Sequence, residues 1–227
     1  MAITPCILTR VPEPGMTKTR LAKSIGDDAA ANVAQAMARC TIARWSLAAP
    51  ATVAITPDGA AQRMRQHLTG IPDVTIVDQG DGSLGERIER SWLRAVGDHS
   101  GIVLGTDSPD VPMSLMHATM RRAMNNDVVL GPTTDGGYWT LAMRQWIPEM
   151  VRDIEWGTSV VFSTSVERAR HVGASISVLP RWYDVDEIAD LRALRRRLRQ
   201  LMVAPTESPA SQELLAELHE ALVGLDE

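Results

Sequence analysis

The chain has 227 residues, a length that suits one large α/β domain or two small ones. Its apolar content of 44% is enough for a substantial core, and no stretch reaches the ~20 uninterrupted apolar residues of a membrane span. A formal net charge of −5 argues against nonspecific nucleic-acid binding, so an anionic substrate requires a local cluster of cations.

Residues 3–9, ITPCILT, read as the first strand, with Pro5 tolerable near its start. This N-terminus has no basic n-region or small-residue cleavage site, so a signal peptide is not expected. Cys6 here and Cys40 further on fall in segments predicted to be buried. They read as core side chains of a reducing cytoplasm, with no partner spaced for metal. The loop RVPEPGMTKTRL (residues 10–21) runs into a helix, and Asp27 after Gly26 opens a long Ala-rich helix to about Leu47. A strand over 52–56, a helix over 60–68 and a strand over 74–77 follow. The Gly-rich stretch DQGDGSLGER then leads into a helix from about Leu84 to Val96.

Residues 101–110, GIVLGTDSPD, are the centre of the pattern. Ile102, Val103 and Leu104 suit a strand covered on both faces, and Gly105 breaks it into a turn carrying Asp107 and Asp110. A helix from Pro112 to Met124, a buried-type strand at 127–131 and an alternating strand at 138–143 come next. A helix at about 159–172, a short strand at 175–179 and an Arg-rich helix to about Met202 complete the main pattern. A Pro/Ser linker at 204–211 precedes a last helix at about 213–223. Strands alternating with helices predict a mostly parallel, doubly wound, Rossmann-like α/β/α sheet. Residues 1–202 read as one domain, and 203–227 as a linker and a C-terminal helical appendage.

In open α/β sheets ligands collect beyond the carboxyl ends of the strands, where Asp107 falls. A carboxylate there either ties down a turn or holds a hard divalent cation. Arg10, Lys18, Arg20 and Lys23 concentrate positive charge at the same edge, which suits phosphates, although charges on a first helical turn also simply face water. The loop is neither a P-loop nor a GxGxxG turn. Asp135, Gly136 and Gly137 follow another apolar strand and form either an ordinary turn or a hold for a sugar hydroxyl or a metal. Asp184 and Asp186 alternate on an extended backbone, so both face one way; helix capping is the plain alternative. Trp139 and Trp156 adjoin turn motifs and are the tryptophans to consider for a ligand wall. The arginines at 192, 195, 196, 197 and 199 read as a solvated face.

Taken in order, these stretches resemble one family: uncharacterised bacterial transferases (DUF2064) similar to the guanylyltransferase that activates phospholactate. That family falls within the nucleotide-diphospho-sugar transferase (GT-A) superfamily. The matching residues are Pro12, Pro14, Gly15, Lys18, Thr19, Arg20 and Leu21; Leu84 to Arg87; and Gly105, Asp107 and Pro109. They continue with Asp127 to Pro132, Asp135 to Tyr138, Trp156 and Thr158, and Asp184 to Asp186 with Asp190 and Leu191. Arg10, Ser83 and Glu187 stand where the pattern has Lys, Asp and Thr.

The resemblance implies a nucleotide over the first loop, contacted by Arg10, Pro14, Gly15, Lys18, Arg20, Gly85 and Thr106. It implies Mg²⁺ or Mn²⁺ on Asp107 and Asp186, with Asp184 as a further ligand, and Lys18, Arg20 and Asp107 as the catalytic set. Asp135, Gly136, Gly137, Tyr138 and Trp156 would face the acceptor. The first expectation is then a nucleotidyltransferase joining an NTP to a small phosphorylated or carboxylated acceptor and releasing pyrophosphate. The alternatives are a glycosyltransferase using an NDP-sugar and a nucleotide-binding protein without turnover. No nucleic-acid partner is expected, and a homodimer is compatible with the pattern.

Overall fold

A computed structural model of the chain describes residues 3–225. Seven strands form one sheet: β1 (Ile3–Arg10), β2 (Ala51–Thr56), β3 (Val74–Asp78), β4 (Ser100–Leu104), β5 (Val128–Pro132), β6 (Tyr138–Met143) and β7 (Ile176–Val178). Their spatial order is β3-β2-β1-β4-β6-β5-β7. β1 pairs in parallel with β2 and β4, β2 with β3, and β5 with β7. Only β6 runs against its neighbours, β4 and β5, among the described residues. The turn between β5 and β6 is too short for a crossover, so they must pair antiparallel. β6 then docks beside β4 and displaces β5 outward. Its position between two strands buries both its faces, and the alternation read from its sequence does not survive.

The helices are α1 (Thr19–Ile25), α2 (Asp27–Ser46), α3 (Ala61–His67), α4 (Leu84–Ala95), α5 (Met113–Ala123), α6 (Val161–His171), α7 (Ile188–Val203) and α8 (Pro209–Ala221). Successive strand residues point to opposite faces, and β1 supplies both cores accordingly. Ile7 packs with Ile42, Met64 and Met116 from α2, α3 and α5; Cys6 packs with Ile88, Trp92 and Ala169 from α4 and α6. Leu191, Leu194, Leu198 and Leu201 recur at helical spacing along α7 and bury against Leu21, Met37, Leu215 and Leu218. The chain is therefore a three-layer α/β/α structure with a helical layer beside it.

α8 starts at Pro209, four residues earlier than the sequence suggests. Ser208 accepts a hydrogen bond from the Ser211 N–H, and Pro209 follows where its missing donor does no harm. The Ser-Pro pair is a helix start rather than linker. No helix is long and apolar enough to cross a membrane among the described residues.

Asp127, just ahead of β5, anchors the far edge of the sheet. It accepts hydrogen bonds from the Ser175 hydroxyl at 2.6 Å and the Ser175 N–H at 2.9 Å, and pairs with Arg144. These bonds, led by the Ser175 hydroxyl, hold its pKa down from 3.8 to about 2. The folded-state value lies below the unfolded one, so the contribution is present above pH 4 and fades as pH falls towards 2. Asp127→Asn accordingly loses about 1 kcal/mol near neutrality, once solvent screening is allowed for. Calorimetric melting of both chains between neutrality and strong acid checks this: the gap closes on acidification, and a gap independent of pH contradicts it.

Candidate active site

The turn after β4 is stapled to the segment ahead of α7. Val185 N–H donates to the Asp107 carbonyl at 2.9 Å. The Ser108 hydroxyl donates to the Tyr183 carbonyl at 2.9 Å and to the Asp184 carboxylate at 2.7 Å. Asp110, 1% exposed, accepts from the Tyr183 hydroxyl at 2.5 Å and Trp182 Nε1 at 3.2 Å, and pairs with Arg197 at 2.9 Å. The Arg197 guanidinium also lies 4.6 Å from the centre of the Trp182 ring, a stacked cation–π arrangement. A buried carboxylate needs such compensation. Burial, followed by the charge on Asp110, pushes the Tyr183 hydroxyl far above its ordinary pKa. Asp190 accepts from the Asp186 and Glu187 N–H groups at 3.1 and 2.9 Å, which fixes the backbone that carries Asp186.

This knot brings Asp107 and Asp186 face to face, and Lys18 sits between them. Its ammonium donates to both, at 2.9 Å to Asp186. Lys18 occupies the N-cap of α1 in the left-handed region, with φ 48° and ψ 45°, an uncommon state for a residue with a β-carbon. Its side chain is 10% exposed, against 48% for Asp107 and 45% for Asp186. Burial lowers the Lys18 pKa, but the charges of Asp107 and then Asp186 outweigh it, and the net shift is upward. The ammonium therefore stays charged.

Two cavities meet here. The larger, about 590 Å³, is polar and is lined by Arg10, Lys18, Arg20, Thr106, Asp107 and Asp186, among others. The smaller, about 290 Å³, has an apolar back wall with Leu84, Ile88, Tyr138 and Trp156. Asp107, Asp135, Gly157 and Thr158 line both. Asp135 accepts from the Thr133 hydroxyl at 2.5 Å and the Gly137 N–H at 3.0 Å. Burial raises its pKa, but these bonds and the charge of Arg20 prevail and the net shift is down. Asp184 goes the other way, up to about 6, because it is partly buried and Asp107, Asp135 and Asp186 crowd it. Tyr138 and Trp156 meet edge to face, centroids 6.0 Å apart. The Tyr138 hydroxyl is buried beside the Ser165 hydroxyl.

Arg10, Lys18, Arg20, Thr106, Asp107 and Asp186 are thus brought together around the larger cavity, and Gly137, Tyr138, Trp156 and Asp184 around the smaller. Pro14, Gly15, Gly85 and Gly136 line neither. Gly15 makes a turn in the first loop at φ 73°. A β-carbon at Gly85 would strike the Val151 carbonyl and come within 3.1 Å of Trp156 Nε1, so glycine there lets α4 pack on a loop rather than a ligand. A β-carbon at Gly136 would likewise strike the Ser159 carbonyl. The departure at position 83 is absorbed locally: Ser83 caps α4 in a reciprocal pair with Glu86.

The Arg-rich helix corrects its reading as a solvated face. Arg196 and Arg199 are exposed, but Arg197 holds the Asp110 knot. No local pattern distinguishes Arg197 from its neighbours. Its partner lies 87 positions away in sequence.

Asp107 and Asp186 are hard oxygen donors, with the carboxylates of Asp135 and Asp184 close by. Among the described residues, no three metal-ligating side chains converge closely enough to hold an ion by themselves. Mg²⁺ commonly takes one or two carboxylates and completes its shell with water and phosphate oxygens, so this pair fits Mg²⁺ carried in with a phosphate ligand.

The profile of a family described as "Uncharacterized protein conserved in bacteria (DUF2064)" matches residues 41–158. A protein of Desulfovibrio desulfuricans G20, designated a candidate nucleotide-diphospho-sugar transferase, superimposes with a TM-score of 0.80 at 26% identity, over 96% of each chain. Two further structures share the fold. One is the 4-diphosphocytidyl-2C-methyl-D-erythritol synthase of Anaerococcus prevotii DSM 20548, with a TM-score of 0.58 and 12% identity, over 87% of this chain and 98% of that one. The other is a CMP:2-keto-3-deoxy-manno-octonic acid synthetase complexed with CTP, with a TM-score of 0.54 and 14% identity, over 88% and 99%. No protein of curated function matches the sequence.

Proposed function

The chain belongs to the DUF2064 family of uncharacterised proteins conserved in bacteria, and from that premise we propose that it is a Mg²⁺-dependent transferase of nucleoside phosphates, in the first reading a nucleotidyltransferase. The observation that carries this is the Lys18 ammonium shared by Asp107 and Asp186 at a cavity also lined by Arg10 and Arg20. Three cations and two hard carboxylates at one strand edge are what a triphosphate with its metal requires. The likeness to the D. desulfuricans protein and to a CTP-bound synthetase supports the reading.

Arg10 and Arg20 offer bidentate donors to phosphate oxygens and Lys18 a point charge. Asp107 and Asp186 would hold the Mg²⁺, which when bound supplies positive charge to the oxygens of the reacting phosphate. With those carboxylates holding an ion, the Lys18 ammonium would pair with the phosphates instead. The acceptor oxygen bonds to the α-phosphorus, the bond to the departing pyrophosphate breaks, and the acceptor proton passes to solvent. Positioning and fixed charge carry such a step without a covalent nucleophile.

Transfer of a sugar from an NDP-sugar is the second reading, favoured by the carboxylates Asp135 and Asp184 beside the smaller cavity, which suit sugar hydroxyls. Incubation with Mg²⁺, each NTP and pooled metabolites, with pyrophosphate as the readout, tests the first reading. Release of NDP from an NDP-sugar without pyrophosphate defeats it in favour of the second.

A further inference from the structure

We infer that the smaller cavity seats an uncharged acceptor, one that presents a hydroxyl group on an apolar body. The inference rests on the transferase reading above and specifies its acceptor. Three carboxylates, Asp107, Asp135 and Asp184, line this cavity, and no lysine, arginine or histidine does among the described residues. The cations Arg10, Lys18 and Arg20 all belong to the larger cavity. An acceptor carrying its own phosphate or carboxylate, as the sequence suggests, would bring a like charge against three acids in a partly buried site.

Hydroxyl groups meet the same acids without that repulsion. Each carboxylate already takes a donor from the protein: Asp107 from Lys18, Asp135 from Thr133 and the Gly137 N–H, Asp184 from Ser108. Each keeps free lone pairs that accept from a further O–H. An ammonium group is the poorer occupant, because a cation held between Asp107 and Asp186 repels it. The remaining wall is apolar, with Leu84, Ile88, Val103 and Trp156, and rewards a hydrocarbon or ring. The volume of about 290 Å³ corresponds to roughly ten waters, which limits the seated part to a small ring or a short chain.

The test is a ligand-observed NMR titration of the full chain, saturated with Mg²⁺ and whichever of ADP, GDP, CDP and UDP binds most tightly, using four probes of one shape. These are 2-phenylethanol, phenylacetate, phenyl phosphate and 2-phenylethylammonium. The alcohol is expected to bind at least about tenfold more tightly than either anion, and more tightly than the ammonium. Asp135→Asn narrows the gap between alcohol and anions, and Leu84→Trp, which fills the cavity, removes alcohol binding. Asp135 is exposed and asparagine keeps its shape, so it carries the test if Leu84→Trp does not fold. Binding of either anion or the ammonium as tightly as the alcohol overturns the inference, as does alcohol binding unchanged in a folded Leu84→Trp chain. The nucleotide titration reads the parent proposal separately. Failure of all four diphosphates to bind retires the transferase reading, whereas binding of one of them with a reversed probe order retires only the acceptor assignment.

Discussion

Asp107→Ala abolishes the Mg²⁺-dependent part of nucleotide binding, whereas Lys18→Ala weakens nucleotide binding with the metal or without it. The two expectations differ because the two side chains do different work in the same cluster of three charges. Among the described residues, Asp107 and Asp186 are the two carboxylates bonded to the Lys18 ammonium. On the proposed reading Asp107 is a direct ligand, whose loss exceeds the 10–100-fold typical of an outer-shell partner, so a loss of at least about 100-fold in metal-dependent affinity is expected. Lys18→Ala removes a charged hydrogen-bond donor worth about 1.5–3 kcal/mol, or roughly 10–100-fold. It also leaves Asp107 and Asp186 facing each other without a cation, so the nucleotide-free Lys18→Ala chain binds Mg²⁺ more tightly than the parent. Calorimetry with each NTP, with and without Mg²⁺, reads all of these. Unchanged binding in both variants removes the site assignment.

Arg44→Ala is expected to cost the fold about 3–5 kcal/mol, the range for a buried ion pair deprived of one partner. Arg44 is 2% exposed and Glu207 5%, with 3.1 Å between them. Arg44 also donates to the Ser211 hydroxyl at 2.9 Å and to the Pro109 carbonyl at 2.7 Å. Glu207 in turn accepts from the Met113 N–H at the start of α5, at 3.1 Å. Alanine would strand a buried carboxylate and free the turn that carries Asp107. Urea denaturation measures the loss. Arg44→Met combined with Glu207→Met should recover most of it, because apolar replacement of both charges removes the desolvation penalty along with the attraction. A single variant as stable as the parent, or a double variant no better than the single, refutes this account.

The cationic loop and the Asp107 turn were legible for a shared reason. Each is a break directly after an apolar run, and local chemistry marks such breaks whatever the remainder of the chain does. The boundaries of α2, α4 and β6 could be read in the same way, from periodicity and caps. The Asp110 knot could not. Asp110 resembles any turn carboxylate until Tyr183, Trp182 and Arg197 arrive from more than seventy residues away. Gly85 misled for a related reason: a glycine in a Gly-rich stretch looks the same whether a ligand or a neighbouring carbonyl crowds it.

What the sequence alone determined is the alternation of strands and helices, and the edge of the sheet where Asp107 and the Lys18 loop come together, because period and punctuation are properties of neighbours along the chain. Only the tertiary structure decided that β6 enters between β4 and β5, that Lys18 bridges Asp107 and Asp186, and that Arg10, Lys18 and Arg20 line only one of two adjoining cavities. Those outcomes depend on pairings across distant segments. Burial, charge compensation and strand docking select such pairings together, and no window of the sequence contains both partners.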